Sequence, residues 1–389
     1  MKTYNFDEIV DRTNTNCIKY DARQMFFGNT DVLPLWVADM DFRTPDFIVD
    51  AIKNRVGHEI FGYTFRPESY NQSIVNWLKR RHNWEIKPEW ITFSPGVVAG
   101  LTLAIEALSK PGDGVILQPP VYFPFFDSIK GTNREMIENP LKLENGRYYF
   151  DLEDLKQKIK PNTKLLLLSN PHNPGGMAWN EKELTELAQI CLENKIIIIS
   201  DEIHSDLIFD GFKHTPLAGL SDEIAQNCVI CMAPSKTFNT AGLTTSFLVI
   251  PNKRHLVAYE RVMRLPHLHM GNIFGTVALE AAYTHGDEWL AQLLVYLQGN
   301  YKILESFFQE NMPEVNVMKP EATYLIWIDF SALGLSDEDL NKKLIDGGIG
   351  LNRGVQFGKQ GTGFMRMNIG CTKNLVQEAL VRIKKALTE

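Results

Sequence analysis

The sequence has no apolar run long enough to cross a bilayer, because its longest unbroken runs are only a few residues and about 20 are needed. It also lacks an excess of positive charge: 40 Lys and Arg residues stand against 47 Asp and Glu residues, a formal net charge of −7. This balance argues against nucleic acid or an anionic membrane as a partner. The N-terminus, MKTYNFDEIV, has no apolar segment of the signal-peptide kind, which predicts a cytoplasmic protein.

Cysteine is scarce, and the five cysteines are scattered and odd in number, which predicts free thiols in a reducing compartment. Cys228 and Cys231 form a CxxC pair on a predicted strand, where residues three apart face opposite sides of the sheet and cannot share a metal ion. His267 and His269 have no cluster of carboxylates or cysteines beside them, so we interpret them as structural or pocket-rim residues. No metal site is predicted.

The length of 389 residues exceeds one typical core and predicts two domains. Residues 1–35 are polar and mixed, and we expect them to form an N-terminal arm. From 36 to 286 strand and helix patterns alternate, which predicts a large α/β domain with a mostly parallel sheet. Residues 287–389 begin with a long helical pattern, continue with an alternating segment, ATYLIWIDF, and predict a smaller α+β domain that packs with the arm.

Three apolar runs each predict a strand buried on both faces and followed at once by a turn: KLLLLSNPHNPGG, KIIIISDEIH and CVICMAPSKTFN. Parallel strands end on one side of a sheet, where open α/β sheets bind their ligands. We therefore expect Asn173, Asp201 and Lys236 to converge on one crevice. A pyridoxal phosphate site needs such a set: a lysine that forms the imine, an acid that keeps the pyridine nitrogen protonated and an amide that holds the ring oxygen.

These motifs, together with LWVADMDF and FGYTFRP nearer the N-terminus, resemble the fold-type I pyridoxal phosphate enzymes of the aspartate aminotransferase superfamily. Within it they are similar to the cystathionine β-lyase branch, the MalY/PatB-type carbon–sulfur lyases. The resemblance runs from about Leu35 to Ile369 in the family's order. It implies a seven-stranded, mostly parallel sheet in the large domain, pyridoxal 5'-phosphate as cofactor and a homodimer with shared active sites.

The resemblance also implies a role for each candidate around the cofactor ring. Lys236 carries the cofactor and then serves as general base at the substrate's α-carbon. Asp201 pairs with the pyridine nitrogen, and Asn173 lies beside the phenolic oxygen. His204 occupies a position that is Tyr in many aminotransferases, so it either bonds to that oxygen or is structural. Tyr122 stacks on the ring and is a candidate proton donor to the leaving group.

The phosphate is expected against the helix that opens in SPGVVAGL, where free N–H groups and the positive helix end attract an anion. The candidates are the N–H groups of Gly96, Val97 and Val98 and the hydroxyl of Ser235. By resemblance, Tyr63 reaches the phosphate from the neighbouring subunit. Thr244 occupies the position of a phosphate-binding arginine in many aminotransferases, so charge must come from elsewhere.

The substrate candidates are Arg366, Ala38 and Asn173. By resemblance, Arg366 clamps the substrate's α-carboxylate, which a planar guanidinium grips with two parallel bonds. Ala38 lies with Trp36 and Asp39 in the segment that lines the substrate side in relatives, and we expect it to contribute a backbone contact.

Removal of the α-proton is common to lyases and transaminases, so chemistry alone leaves both open. A carbon–sulfur β-lyase is favoured by the similarity of DEIH, SKTFN and LWVADMDF to the lyase branch and by Thr244. Such an enzyme converts L-cystathionine or cysteine S-conjugates to a thiol (homocysteine from cystathionine), pyruvate and ammonia. The alternative is a class I/II aminotransferase. A remote alternative is a pyridoxal phosphate-binding regulator with a DNA-binding domain. Only about 35 residues, with no basic helix, precede the expected core, which argues against this alternative.

Overall fold

A seven-stranded sheet lies at the centre of the computed structural model, which describes residues 2–389. The described residues form fifteen strands: β1 (Leu33–Pro34), β2 (Ile91–Ser94), β3 (Gly114–Leu117), β4 (Glu135–Glu138), β5 (Lys142–Glu144), β6 (Arg147–Tyr149), β7 (Thr163–Ser169), β8 (Ile197–Asp201), β9 (Cys228–Met232), β10 (Ser246–Val249), β11 (Asn316–Val317), β12 (Leu325–Asp329), β13 (Ile349–Gly350), β14 (Asn352–Arg353) and β15 (Phe364–Asn368).

The same residues form fourteen α-helices: α1 (Ile18–Asp21), α2 (Arg23–Phe27), α3 (Asp46–Val56), α4 (Glu68–His82), α5 (Val97–Leu108), α6 (Pro124–Gly131), α7 (Leu152–Lys158), α8 (Glu181–Glu193), α9 (Asp222–Gln226), α10 (Lys253–Arg264), α11 (Ile273–His285), α12 (Asp287–Asn311), α13 (Asp337–Asp346) and α14 (Lys373–Thr388). Among residues 2–389, no helix combines the length and the apolar character that a membrane span requires.

The order of the large sheet is β2-β10-β9-β8-β7-β3-β4. Strand β10 runs antiparallel to both of its neighbours, and the other pairs are parallel. The prediction of a mostly parallel seven-stranded sheet is therefore confirmed. Because β7, β8 and β9 are adjacent and parallel, the segments that follow them leave the sheet at one edge.

Alternate residues of the central strands enter two separate cores. In β7, Leu166 and Leu168 belong to the larger core, while Leu165 and Leu167 belong to the other. The second core also contains residues of α5, α6 and α10, and the larger core contains residues of α4, α8 and α11. Helices on both faces explain why these strands carry unbroken apolar runs.

The cysteine pair on β9 follows the same alternation. Cys228 lies in the larger core and Cys231 in the second, so the two thiols face opposite sides of the sheet as predicted. All five cysteines of the described chain are free thiols, and four of them are buried.

A smaller antiparallel sheet, ordered β11-β12-β15-β14, follows α12 in the chain. The predicted alternation along ATYLIWIDF is wrong: Leu325 to Ile328 are all buried, which means that both faces of β12 are covered. Near the N-terminus, β1 pairs in parallel with β13. The N-terminal arm is thus joined to the C-terminal part of the chain. The domain boundaries after residues 35 and 286 stay predictions.

We expect Leu166→Ala to lower the free energy of unfolding by about 2–5 kcal/mol, because it leaves a cavity in a fully buried part of the central sheet. Urea unfolding, followed by far-ultraviolet circular dichroism, measures the change. Val381→Ala is the control, since Val381 lies on α14 and is 60% exposed. Equal destabilisation by the two substitutions would contradict the placement of Leu166.

Candidate active site

A cavity of about 130 Å³ lies at the edge of the sheet where β7, β8 and β9 end. It brings together most of the residues predicted from the sequence: Ala38, Gly96, Val97, Val98, Tyr122, Asn173, Asp201, His204, Ser235, Lys236 and Thr244. It is also lined by four residues that were not predicted: Ser169, Ile203, Ala241 and Thr245. A larger open cleft of about 540 Å³, beside Arg81, Phe212 and Val295, contains none of the predicted residues.

Lys236 lies in the turn after β9, and its Nζ donates a hydrogen bond of 2.6 Å to the carbonyl oxygen of Ala38. The hydroxyl of Tyr324 donates to the same oxygen at 3.0 Å. Burial lowers the pKa of Lys236 to about 8, although nearby Asp39 opposes the shift. About a tenth of the amine is therefore neutral at pH 7, far more than for a lysine of ordinary pKa, and the neutral amine is the nucleophile and base.

Asp201 is the last residue of β8, and its Oδ1 accepts a hydrogen bond of 3.1 Å from the N–H of Ile203. Burial raises the pKa of Asp201 to about 7, while the bond from Ile203 and the charge of Lys236 oppose the rise. A carboxylate in this position is stabilised by a cation placed against it, as a protonated pyridine nitrogen would be.

Asn173 is oriented by Arg366. Its Oδ1 accepts a bond of 2.9 Å from Arg366 Nη1, and a guanidinium can only donate. The oxygen of the amide must therefore face Arg366, which leaves the Nδ2 donor for another acceptor. This orientation suits the predicted contact between the amide and the phenolic oxygen of the cofactor.

Arg366 is 3% exposed, and its hydrogen-bond acceptors are all neutral oxygens. Besides Asn173, Nη2 donates to the carbonyl of Trp36 at 3.1 Å and to Oδ1 of Asn352 at 2.6 Å. Its guanidinium lies 4.8 Å from the ring centre of Phe357, and its Nε has no partner. Burial lowers the pKa of Arg366 to about 10. A buried cation without a carboxylate partner is well prepared to bind the carboxylate of a ligand.

His204 is 3% exposed, and its Nδ1 is buried without a hydrogen-bond partner. Burial, reinforced by the charges of Lys236 and Arg366, holds the pKa of His204 well below its usual value, so the imidazole is neutral. The unpaired nitrogen leaves His204 one hydrogen bond short, because buried polar atoms are normally hydrogen-bonded.

The first turn of α5 borders the cavity, but one predicted donor is already used. The N–H of Gly96 donates to Oγ of Ser246 at 3.1 Å, so the prediction that this group is free is wrong. The N–H groups of Val97 and Val98 lie in the first helical turn, where no intrahelical acceptor exists. Gly96 has φ of +111°, and a Cβ atom there would meet no protein atom within 4 Å, so the backbone is open to a ligand.

Near α5, hydroxyl groups line the cavity rather than cations. Ser235, Thr244 and Thr245 all contribute to the lining, and Lys236 is the one lysine or arginine among the described residues that line it. An anion bound there would be held by N–H and hydroxyl donors and by the positive helix end.

Tyr63 does not reach the cavity of its own chain. Its side chain is 98% exposed, on the segment between α3 and α4. Ile60, Phe61 and Phe65 on the same segment are exposed as well. The predicted role of Tyr63 requires a second subunit, and it stays a prediction.

The family model for aminotransferases of class I and II matches residues 30–383. Cystathionine beta-lyase PatB of Bacillus subtilis (strain 168) is 45% identical over 386 residues, which cover 99% of this chain and 100% of the relative. A PLP-bound protein from Clostridium difficile 630 has a TM-score of 0.97 and 48% identity, covering 99% of this chain and 100% of that one. The PLP-bound C-S lyase from Staphylococcus hominis has a TM-score of 0.93 and 33% identity, covering 100% and 99%.

In the cofactor-free protein, we expect Lys236 to react with acetic anhydride with a midpoint near pH 8, because burial lowers its pKa and only the neutral amine reacts. Labelling over a pH series, read by mass spectrometry of the peptides, measures the midpoint. Exposed lysines in the same sample are the control, since their ordinary pKa is about 10.4. A Lys236 profile that coincided with theirs would contradict the burial argument.

Proposed function

This chain belongs to the family of class I and II aminotransferases, and from that membership we propose that it is a pyridoxal phosphate-dependent carbon–sulfur β-lyase. Its substrate is L-cystathionine or a related cysteine S-conjugate, and its products are a thiol, pyruvate and ammonia. The choice of lyase is supported by the full-length similarity to a cystathionine β-lyase of Bacillus subtilis and to a C-S lyase of Staphylococcus hominis. One observation supports an amino-acid substrate. The buried guanidinium of Arg366 has only neutral hydrogen-bond partners, and one of them, Asn173, lines the cavity.

The residues of the cavity fit pyridoxal phosphate. Asp201 supplies an anion for the pyridine nitrogen, Nδ2 of Asn173 a donor for the ring oxygen, and the unpaired Nδ1 of His204 a further polar partner. The first turn of α5 and the hydroxyl of Ser235 supply donors for the phosphate. When bound there, the cofactor supplies an aldehyde that links covalently to Lys236 or to the substrate's amine, and a ring that withdraws electrons from the substrate's α-carbon.

The chain's own residues orient the substrate and move protons. Arg366 binds the α-carboxylate in two parallel bonds, which fixes the direction of the bond from the α-carbon to its hydrogen. Lys236, whose pKa burial lowers to about 8, takes the α-proton as general base in its neutral form. Tyr122 lines the same cavity, and its protonated hydroxyl donates a proton to the departing sulfur, although burial raises its pKa and makes it a weaker acid than an exposed tyrosine.

An aminotransferase is the second candidate, since the family model that matches residues 30–383 is that of the aminotransferases. A transaminase would use the same contacts of Lys236, Asp201 and Arg366 up to removal of the α-proton. The two functions differ in the fate of the β-substituent, so products decide between them.

The proposal includes a homodimer with shared sites. Tyr63 and its apolar neighbours Ile60, Phe61 and Phe65 are exposed in the single chain, which is expected of a segment that packs on another subunit. There Tyr63 would bring a further hydroxyl to the phosphate of the cofactor in the partner's site, where the described lining residues include no arginine. The cytoplasmic location stays a prediction from the sequence.

With cystathionine as substrate, we expect release of pyruvate and ammonia at a rate independent of added keto acid, because expulsion of the thiolate needs no amino-group acceptor. Alanine, which has the same α-carboxylate but no β leaving group, is the control and should release no pyruvate without a keto acid. Coupled assays of pyruvate and ammonia measure both. Strict dependence on a keto acid, without free ammonia, would overturn the lyase in favour of the aminotransferase.

We expect Tyr63→Phe and Lys236→Ala each to be impaired alone and to complement each other when mixed, because one site of a hybrid dimer would contain both native residues. Random exchange makes half of the dimers hybrid with one intact site each, so activity should approach about a quarter of the wild-type value. Turnover of cystathionine after confirmed subunit exchange is the measurement. No recovery beyond the mean of the two variants would contradict a shared site.

A further inference from the structure

A buried carboxylate is bonded to the turn that carries Lys236. Asp206 is 4% exposed, and its Oδ2 accepts a hydrogen bond of 2.9 Å from Oγ1 of Thr237, the residue that follows Lys236. Thr237 is fully buried. A hydroxyl that is withdrawn from water and bonded to a charged acceptor forms one of the stronger hydrogen bonds available in a protein.

Both oxygens of Asp206 are occupied. Oδ1 accepts from Nε1 of Trp77 at 3.0 Å and lies 2.9 Å from Nε2 of His82, and both of these residues belong to α4. A carboxylate can accept all three bonds, whereas an amide would turn an N–H group toward one of the donors. Asp206 therefore connects the turn of Lys236 to a helix that has no residue in the cofactor cavity.

Asp206 also belongs to the loop that follows β8, on the same stretch as Asp201 and His204. This loop is a tight turn, since the N–H of Leu207 bonds to the carbonyl of His204 at 2.9 Å. The bond between Asp206 and Thr237 thus links the segment that carries the acid of the site to the segment that carries its amine. Asp201 itself is still paired with Cys231 in the sheet, whereas Asp206 and Thr237 lie beyond the ends of β8 and β9, where the sheet does not join the two segments.

We propose that Asp206 and Thr237 are positioning residues for Lys236, and that their hydrogen bond holds the lysine's turn in register with Asp201 across the cavity. The inference rests on the proposed function only in taking Lys236 as the lysine that carries the cofactor. General-base catalysis requires the amine within hydrogen-bond reach of the α-proton, and a displacement of about 1 Å can cost up to about 100-fold in rate.

The test compares two buried threonine hydroxyls. Thr237→Val removes the hydroxyl that bonds to Asp206 at nearly constant volume, and Thr132→Val makes the same change at the end of α6, where the hydroxyl bonds only to carbonyl oxygens of that helix. We expect Thr237→Val to lower kcat roughly tenfold at unchanged KM and to alter the visible circular dichroism of the bound cofactor, recorded without substrate. Thr237→Ser should restore both signals, whereas Thr132→Val should lower the melting temperature and leave both unchanged.

Wild-type kcat and circular dichroism in Thr237→Val would overturn the proposal, and so would equal changes of both signals in Thr132→Val. Thr237→Ala provides the same comparison if the valine variant does not fold. The spectrum needs only bound cofactor, so it reports on the positioning even if cystathionine is not the substrate. Failure of the proposed function would be seen separately, in the products of the wild-type protein.

Discussion

The active cavity depends on how firmly the segment Trp36–Phe42 is held, because this segment presents the carbonyl of Ala38 to Lys236. Asn368, at the end of β15, donates from Nδ2 to two carbonyl oxygens of the segment, each at 2.6 Å. Asn239, from the turn of Lys236, accepts from the N–H of Met40 at 3.0 Å and donates to its carbonyl at 2.9 Å. Two asparagines from distant parts of the chain thus fasten the same few peptide groups.

Ion pairs with the N-terminal part of the chain also hold the segment in place. Lys19, in the N-terminal part, is fully buried and lies 2.9 Å from Asp41, whose other oxygen is 2.7 Å from Arg12. Removing one partner of a buried ion pair leaves the other charge uncompensated and costs about 3–5 kcal/mol. The N-terminal residues are therefore part of the structure that supports the site, although none of them lines the cavity.

The sequence predicted what depends on local pattern. Apolar runs and helical spacing predicted the buried strands β7, β8 and β9 and the helix α5. The rule that parallel strands end at one edge predicted that Asn173, Asp201 and Lys236 meet. What it missed depends on tertiary pairing. Asn352 meets Arg366 only because β14 pairs with β15, and no motif marks it.

The donors around Gly96 show the same limit. The helix start was visible in the sequence, but Ser246, which takes the Gly96 N–H, comes from β10, the antiparallel strand next to β2. Likewise the hydroxyl of Tyr324, the residue just before β12 of the smaller sheet, reaches the carbonyl oxygen of Ala38. Such contacts are set by the packing of one part of the chain on another, which residue spacing alone does not encode.

The amide of Asn173 has a consequence for which residues the position tolerates. Aspartate is nearly identical in shape, but at this position it would give Arg366 an anion from the protein itself, at the 2.9 Å now occupied by a neutral oxygen. The guanidinium would then have its charge neutralised before any amino acid arrived. The substitution would also remove the Nδ2 donor of Asn173 from the cavity. The selectivity of this arginine for an incoming carboxylate therefore depends on its neighbour remaining uncharged, a requirement that one nitrogen atom in place of an oxygen satisfies.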